Sequence, residues 1–154
     1  MIKKTQYRKA VFILCYAIEK EVPQYLLLKR KLHWKGWEFP KGRIEKGETK
    51  IGAARRELKE ETGHTALKIR NFHFSGKYKY KKILPDRPNI IGQTFSLYGT
   101  KIKKEKVSLD KREHSGHRWV NFNLALKMLK WPDQKKSLRI VNSWLNNELQ
   151  KNNS

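Results

Sequence analysis

The 154-residue sequence predicts a single mixed α/β domain, a β-sheet sandwiched between α-helices, spanning residues 1–150 and followed by a frayed tail at 151–154. Three observations carry this expectation. Residues 11–18 and 25–28 are nearly continuous apolar runs, the pattern of strands covered on both faces. Residues 53–61 are mostly good helix formers, with Thr49 placed to cap their start and Gly63 to close their end in a left-handed conformation. Leu138, Val141, Leu145 and Leu149 recur at helical spacing along residues 135–149.

In chain order, residues 10–18 form the first core strand, Val22-Pro23 a turn, and residues 24–28 the second strand. Residues 34–40 approach the glycine-marked loop before the first helix, and Pro40 blocks helix there. Residues 66–81 read as one or two long strands. Residues 82–93 carry Pro85, Pro88 and Gly92 and form a loop. A strand over 93–102, a shorter one over 118–122, a short helix over 124–129 and the amphipathic helix over 135–149 complete the order. Phe72, Phe74, Tyr78 and Tyr80 fall on one side of their strand and Lys77, Lys79 and Lys81 on the other. The aromatic side serves either as core or as a platform under a nucleobase, since stacking of a base on an aromatic ring is worth roughly 1–3 kcal/mol. Trp34 is a similar stacking candidate, with plain packing as its alternative.

Net charge is +22 and the pI is about 10.2. Such a field attracts nucleotides, nucleic acid or acidic membrane surfaces without choosing among them, and much of the lysine excess is accounted for as solvated surface. The single Cys15 excludes an intrachain disulfide and sits in an apolar run, as a buried thiol does. His114 and His117 make an H-x-x-H pair, too few ligands for a zinc site. His33, His64 and His73 read as structural or surface residues. Lys3, Lys4, Arg8 and Lys9 before the run 11–18 imitate a secretory leader, but Glu19-Lys20-Glu21 follows with no small-residue cleavage site. No stretch reaches the length of a membrane helix. The expectation is a cytoplasmic protein with no membrane partner and an oligomeric state that the sequence leaves open.

Residues 42–64 concentrate the chemistry. Glu57, Glu60 and Glu61 stand at i, i+3 and i+4, so their carboxylates share one helix face. Each close like-charge pair costs an isolated helix roughly 0.2–0.5 kcal/mol, a cost that a bound divalent cation reverses. Hard Mg²⁺ takes a few carboxylate oxygens together with waters and substrate phosphates. A solvated Glu/Lys face is the alternative. Against it, acid is scarce: 14 Asp and Glu face 36 Lys and Arg, yet Glu45, Glu48, Glu57, Glu60 and Glu61 all lie within 17 residues (45 to 61 inclusive).

These residues resemble the Nudix box, G-x5-E-x7-R-E-U-x-E-E-x-G-U with U a bulky aliphatic. Gly42, Glu48, Arg56, Glu57, Leu58, Glu60, Glu61 and Gly63 match it, and His64 stands at the final aliphatic position. The resemblance implies the Nudix fold and hydrolysis of a nucleoside diphosphate linked to another group. Position by position it implies that Glu57, Glu60 and Glu61 hold Mg²⁺, with Mn²⁺ able to substitute, and that one of them can act as base. Gly42 adds a backbone carbonyl to the metal shell, Arg56 orients the box carboxylates, and Glu48 ties loop to helix. Lys41 and Arg43 reach phosphate oxygens, or else are solvated.

Outside the box, residues 37–42 look like the approach segment of Nudix enzymes acting on nucleoside polyphosphates and RNA ends. Residues 113–120 resemble the E-H-x-x-Y-R-W-hydrophobic segment of diadenosine tetraphosphate hydrolases, with His117 in place of the tyrosine. That likeness makes Glu113 a further metal ligand or the base. The same family carries a tyrosine about sixteen residues past the box, where Tyr80 stands; with the independent stacking reading of Tyr78 and Trp34, these three are the substrate-binding candidates. The preferred expectation is asymmetric cleavage of diadenosine tetraphosphate to ATP and AMP. The alternatives are a pyrophosphohydrolase of RNA 5′ ends and a noncatalytic basic RNA-binding module.

Overall fold

A computed structural model describes residues 5–152. Its centre is a mixed seven-stranded sheet. Strand β1 (Gln6–Glu19) runs antiparallel to β2 (Val22–Arg30) on one side and parallel to β6 (Ile90–Lys101) on the other. β5 (Lys68–Lys79) is the edge beyond β6, and β3 (Gly36–Glu38) the edge beyond β2. The short β4 (Lys41–Arg43) pairs with the first half of β1, and β7 (His114–Val120) with β2. Helix α1 (Lys50–Thr62) covers one face, and α2 (Phe122–Met128) with α3 (Pro132–Asn152) the other.

Alternation along the central strands sorts the core into those two faces. Phe12, Leu14, Tyr16, Tyr25 and Leu27 pack with Leu129, Leu138, Val141 and Leu145 on the α2–α3 side. Val11, Ile13, Cys15, Leu26 and Leu28 pack with Ala53, Ala54 and Leu58 on the α1 side. The continuous apolar runs therefore reflect burial on both faces, as expected. Cys15 is fully buried, and burial pushes its thiol far up.

Several boundaries differ from expectation. The β1–β2 turn is Lys20-Glu21, both with positive φ (50° and 66°), not Val22-Pro23. Two such residues match the twist of a tight hairpin, and Pro23 sits near the start of β2, where a missing N–H costs little. β3 and β4 are three-residue strands too short to leave a periodic signal. Phe122 opens α2 rather than ending β7, because the Asn121 side chain accepts from the Leu124 N–H and caps the helix. α3 continues through Lys151 and Asn152, past the expected start of the frayed tail, with Lys151 reaching Glu148 (3.4 Å) near a helix end that favours cations. Residues 153–154 of that tail, and Lys3 and Lys4, lie outside the described residues.

The aromatic side of β5 divides. Phe72 meets Trp144 edge-on and Phe74 meets Phe95, so these two are core; Tyr78 also packs against Phe95 (6.5 Å) but, with Tyr80, lines an open cleft. Phe72 and Phe74 sit within a bulge between Asn71 and Ser75, with His73 at φ 52°, and Tyr78 lies in the regular pairing that follows. Among the described residues no helix is long and apolar enough to cross a membrane.

Leu58 is fully buried and fastens α1 to the sheet. Leu58→Ala should therefore lower unfolding free energy by about 2–5 kcal/mol, read as a shift of the urea midpoint. A midpoint unchanged from the parent protein would mean that α1 is not anchored through this side chain.

Candidate active site

Helix α1 is positioned by its caps. The Thr49 hydroxyl accepts from the Gly52 N–H (3.1 Å), and Gly63 ends the helix at φ 78° with its N–H on the Lys59 carbonyl. His64 packs beside this end and bonds the Lys106 carbonyl through Nε2 (3.0 Å). With Ala53, Ala54 and Leu58 against the sheet, the row Glu57, Glu60 and Glu61 faces β4. There the backbone passes unusually close: a Cβ on Gly42 would lie 1.9 Å from Glu57 Cδ, so only glycine fits.

Arg56 organises the carboxylates. Its Nε and Nη2 donate to the two oxygens of Glu48 (2.8 and 2.9 Å) as a fork. Nη1 donates to Glu57 (2.8 Å) and Glu60 (3.2 Å), and Nη2 also to the Arg43 carbonyl (2.8 Å). Glu48 in turn accepts the Glu45 N–H (3.0 Å), which ties the loop to the helix. Arg43 contributes only its backbone, and its exposed side chain lines neither cleft described below.

Glu57, Glu60, Glu61, Gly42 and Glu113 line one polar cleft of about 210 Å³ together with Arg8, Arg30, Lys41 and Gln93, and the Lys41 backbone N–H donates to Glu61 Oε2 (3.3 Å). Glu113 arrives from the turn before β7, 50 residues beyond Gly63 in sequence. Burial pushes the Glu61 carboxyl well above the ordinary carboxylate range, and Glu38, Glu57 and Glu113 push it further. Burial also raises Glu57, against the pull of Arg56. Among the described residues no three His, Cys, Asp or Glu side chains stand as a ready cation cage. The reason is visible in the geometry: Glu57 and Glu60 both turn to Arg56. The donor set nevertheless fits a hard cation, since it is all carboxylate oxygen, two of its members hold their negative charge only against burial, and the Gly42 backbone is already beside Glu57.

Arg30 and Lys41 of this cleft belong to a buried network that periodicity did not reveal. Glu38 is fully buried in β3. Its Oε2 receives His114 Nε2 (2.8 Å) and Arg30 Nη1 (3.4 Å), and its Oε1 faces Lys41 Nζ (3.3 Å). Burial pushes the Glu38 carboxyl up, but Lys41, the His114 hydrogen bond and Arg30 outweigh it and hold it at about 2. His114 is thereby committed to Glu38, not to an H-x-x-H zinc pair.

A second cleft, about 470 Å³, shares Arg8, Arg30, Lys41 and Gln93 with the first. Tyr78, Tyr80, Trp34 and Trp131 give it aromatic surface, with Trp34 edge-on to Trp131 (5.5 Å). Its lining carries seven Lys and Arg against the single acid Asp133. Tyr80 Oη donates to Gln93 Oε1 (3.2 Å), which leaves the buried Gln93 Nε2 without a hydrogen-bond partner among the described residues. Burial and the neighbouring Arg87 lower Arg8, a guanidinium with no ion pair among the described residues.

Arg8, Arg30, Glu38 and Gln93 are thus the site-lining or site-supporting residues that sequence reasoning missed. Glu38 offered one signal, an acid between Trp37 and Phe39 in an acid-poor chain. The other three offered none, because they meet only through strand pairing.

A model of the NUDIX domain matches residues 6–140. An RNA pyrophosphohydrolase of Nitratiruptor sp. is 34% identical over 117 residues, covering 73% of this chain and 75% of that protein. An 8-oxo-(d)GTP phosphatase of Mycolicibacterium smegmatis is 32% identical over 109 residues, 67% of this chain, which spans only 29% of that longer protein. A C. elegans Ap4A hydrolase binary complex superposes with a TM-score of 0.72 at 24% identity, over 91% of this chain and 98% of that one, a likeness of fold. The match over residues 6–140, together with the Gly42–Glu57 contact and the Arg56 fork, establishes that the chain belongs to the NUDIX family.

Proposed function

We propose that the chain is a Mg²⁺-dependent cytoplasmic pyrophosphohydrolase that removes phosphate from the 5′ ends of triphosphorylated RNA. The observation that carries this is the adjacency of the two clefts: the carboxylate-lined cleft that would take the scissile phosphate shares Arg8, Arg30, Lys41 and Gln93 with an aromatic, cationic cleft. Seven cations beside four aromatic rings suit a strand with one phosphate and one base per nucleotide. The 34%-identical relative named an RNA pyrophosphohydrolase supports the same choice. A second substrate, diadenosine tetraphosphate, is favoured by the segment at residues 113–120 and by Glu113 lining the carboxylate cleft. A noncatalytic module would have no use for that carboxylate wall.

Glu57, Glu60, Glu61 and the Gly42 carbonyl would hold Mg²⁺, with Mn²⁺ as substitute, and Glu113 either joins them or takes the proton of the attacking water. When bound, the cation supplies charge neutralisation on the phosphate oxygens. Arg8, Arg30 and Lys41 hold the phosphates that follow, and Tyr78, Tyr80 and Trp34 offer faces to the bases. Arg56 and Glu48 keep the carboxylates on one wall.

Glu60→Gln should lower kcat by at least about 100-fold while the fold survives, and Gly42→Ala should do likewise by displacing Glu57. Circular dichroism alongside turnover checks both, and near-normal turnover in Glu60→Gln would remove that residue from the metal shell.

Metal binding should also be visible in stability. Glu61 and Glu57 carry folded pKa values above the unfolded carboxylate value of about 4.3. Such groups contribute stability below that value and lose it as pH rises through the folded pKa. The metal-free protein should therefore lose stability from about pH 4.3 upward through these groups, and a cation among them should restore it. The rise in Tm on adding Mg²⁺ to chelator-treated protein should be larger at pH 8 than at pH 5. Equal rises at both pH values would disconnect Glu61 from the cation.

The substrates separate by salt. Each phosphate contact on a single strand contributes a slope of about −0.7 in log K against log salt. Turnover of triphosphorylated RNA should exceed that of diadenosine tetraphosphate and fall more steeply with salt. Replacing Lys79, Lys81 and Lys82 together should flatten the RNA dependence. A competition assay in which the dinucleotide wins at both low and physiological salt would transfer the proposal to that substrate.

A further inference from the structure

We infer that Glu38 is a positioning residue for the polyphosphate: one buried carboxylate holds Lys41, Arg30 and His114 in place behind the wall that both clefts share. Its chemistry rests on the pyrophosphohydrolase reading; its geometry does not. The four groups come from four strands, β3, β4, β2 and β7, and meet only here. Glu38 Oε1 has no hydrogen-bond donor aligned with it, only Lys41 Nζ at 3.3 Å. His114 gives its Nε2 to Oε2 and leaves its own Nδ1 buried without a partner among the described residues.

That arrangement is poor design for stability alone. Apolar residues of similar volume commonly replace a buried ion pair at no loss, and Glu38 lies between Trp37 and Phe39, where an apolar side chain would pack. What the carboxylate does instead is fix two flexible cations. Lys41 and Arg30 line the carboxylate cleft and the aromatic cleft alike, so a polyphosphate that reaches from one to the other passes them. Arg30 is held from its other side as well, by Nε on the Leu32 carbonyl (2.7 Å) and Nη2 beside His33 Nδ1 (3.4 Å). His114 extends the same grip to the start of β7, where its neighbour Glu113 reaches the carboxylate cleft.

The test compares Glu38→Gln, Glu38→Asp, Lys41→Met and the Glu38→Gln/Lys41→Met double variant. Affinity for inorganic tripolyphosphate is measured calorimetrically in metal-free buffer, with Tm, KM, kcat and half-saturating Mg²⁺ alongside. Glu38→Gln should weaken tripolyphosphate binding and raise KM by about tenfold, with kcat and half-saturating Mg²⁺ changed by less than about threefold. Glu38→Asp, which keeps the charge but withdraws it, should lie between Glu38→Gln and the parent protein. In the Lys41→Met background Glu38→Gln should add less than it does alone, because it acts partly through Lys41. Unchanged affinity in Glu38→Gln overturns the inference. So does tighter binding, the result expected if Glu38 merely dilutes the positive field, and so does full additivity with Lys41→Met. If Glu38→Gln does not fold, Glu38→Asp decides: several-fold weaker binding at an unchanged Tm supports the inference, and parental affinity overturns it. A parent protein that hydrolyses neither RNA nor dinucleotide would defeat the proposed function, while the tripolyphosphate affinities would still decide the role of Glu38.

Discussion

The carboxylates of residues 42–64 can share one wall because a single guanidinium stands among them. Arg56 meets Glu48, Glu57, Glu60 and the Arg43 carbonyl at 2.8–3.2 Å. Its own pairs contribute little to stability: Arg56 is a quarter exposed and Glu60 more than half, and exposed pairs are worth about 0.2–1 kcal/mol each. Repulsion between neighbouring carboxylates on one helix face is of the same order, roughly 0.2–0.5 kcal/mol per pair. The two effects nearly balance, so Arg56 fixes geometry rather than adding stability. A lysine could not replace it, since a point charge on a flexible stem cannot fork to Glu48 and still reach Glu57. The carboxylate row is thus complete in shape and incomplete in charge: buried Glu61 accepts the Lys41 backbone N–H (3.3 Å) but makes no ion pair among the described residues.

The residues common to both clefts depend on sheet register instead. Arg8 of β1 is the Cα partner of Gln93 in the parallel pairing with β6, and Phe12 is the partner of Lys41 in the antiparallel pairing with β4. The first half of β1 therefore places three of the four residues common to both clefts, and Arg30 enters from β2 through Glu38. A parallel β1–β6 pair requires a long crossover, and that crossover contains the loop, α1 and β5. Placing the carboxylate helix and the tyrosine strand on either side of one cationic seam is a consequence of that topology.

Legibility in the sequence follows the same division. The loop and α1 were readable because caps, glycines and carboxylates act within a few residues of one another, and helix geometry converts spacing directly into a shared face. Burial of the central strands was readable because both faces are covered and the runs are continuous. Glu38 and His114 are 76 residues apart and join through β2, so no local pattern announces them. Arg8 resembled the flank of a leader before strand pairing gave it a place. Alternation put Phe72, Phe74, Tyr78 and Tyr80 on one side but could not show which of them line a cleft, because that depends on where Trp144, Phe95 and Trp131 end up. The turn at Lys20-Glu21 was masked by Pro23, a stronger local turn signal that proved to belong to the strand.

The basic field and the acidic wall belong to one electrostatic problem. With a net charge of +22, potential over the surface draws any polyanion inward, and it is screened beyond a Debye length of about 8–10 Å at physiological salt. Distant lysines can therefore speed encounter but cannot orient a phosphate. Some are occupied locally: Lys77 lies over the Tyr7 ring at 4.1 Å, Lys136 over Phe74 at 5.1 Å and Lys104 pairs with Glu19. The few cations held by strand pairing and by Glu38 are the ones fixed well enough to orient a phosphate, and they line the same cleft as the carboxylate cluster Glu57, Glu60, Glu61 and Glu113. A polyphosphate drawn in by the field alone would be repelled at that cluster. A divalent cation held by these carboxylates would remove that repulsion, so that the acidic and the cationic residues of the cleft could attract the same ligand.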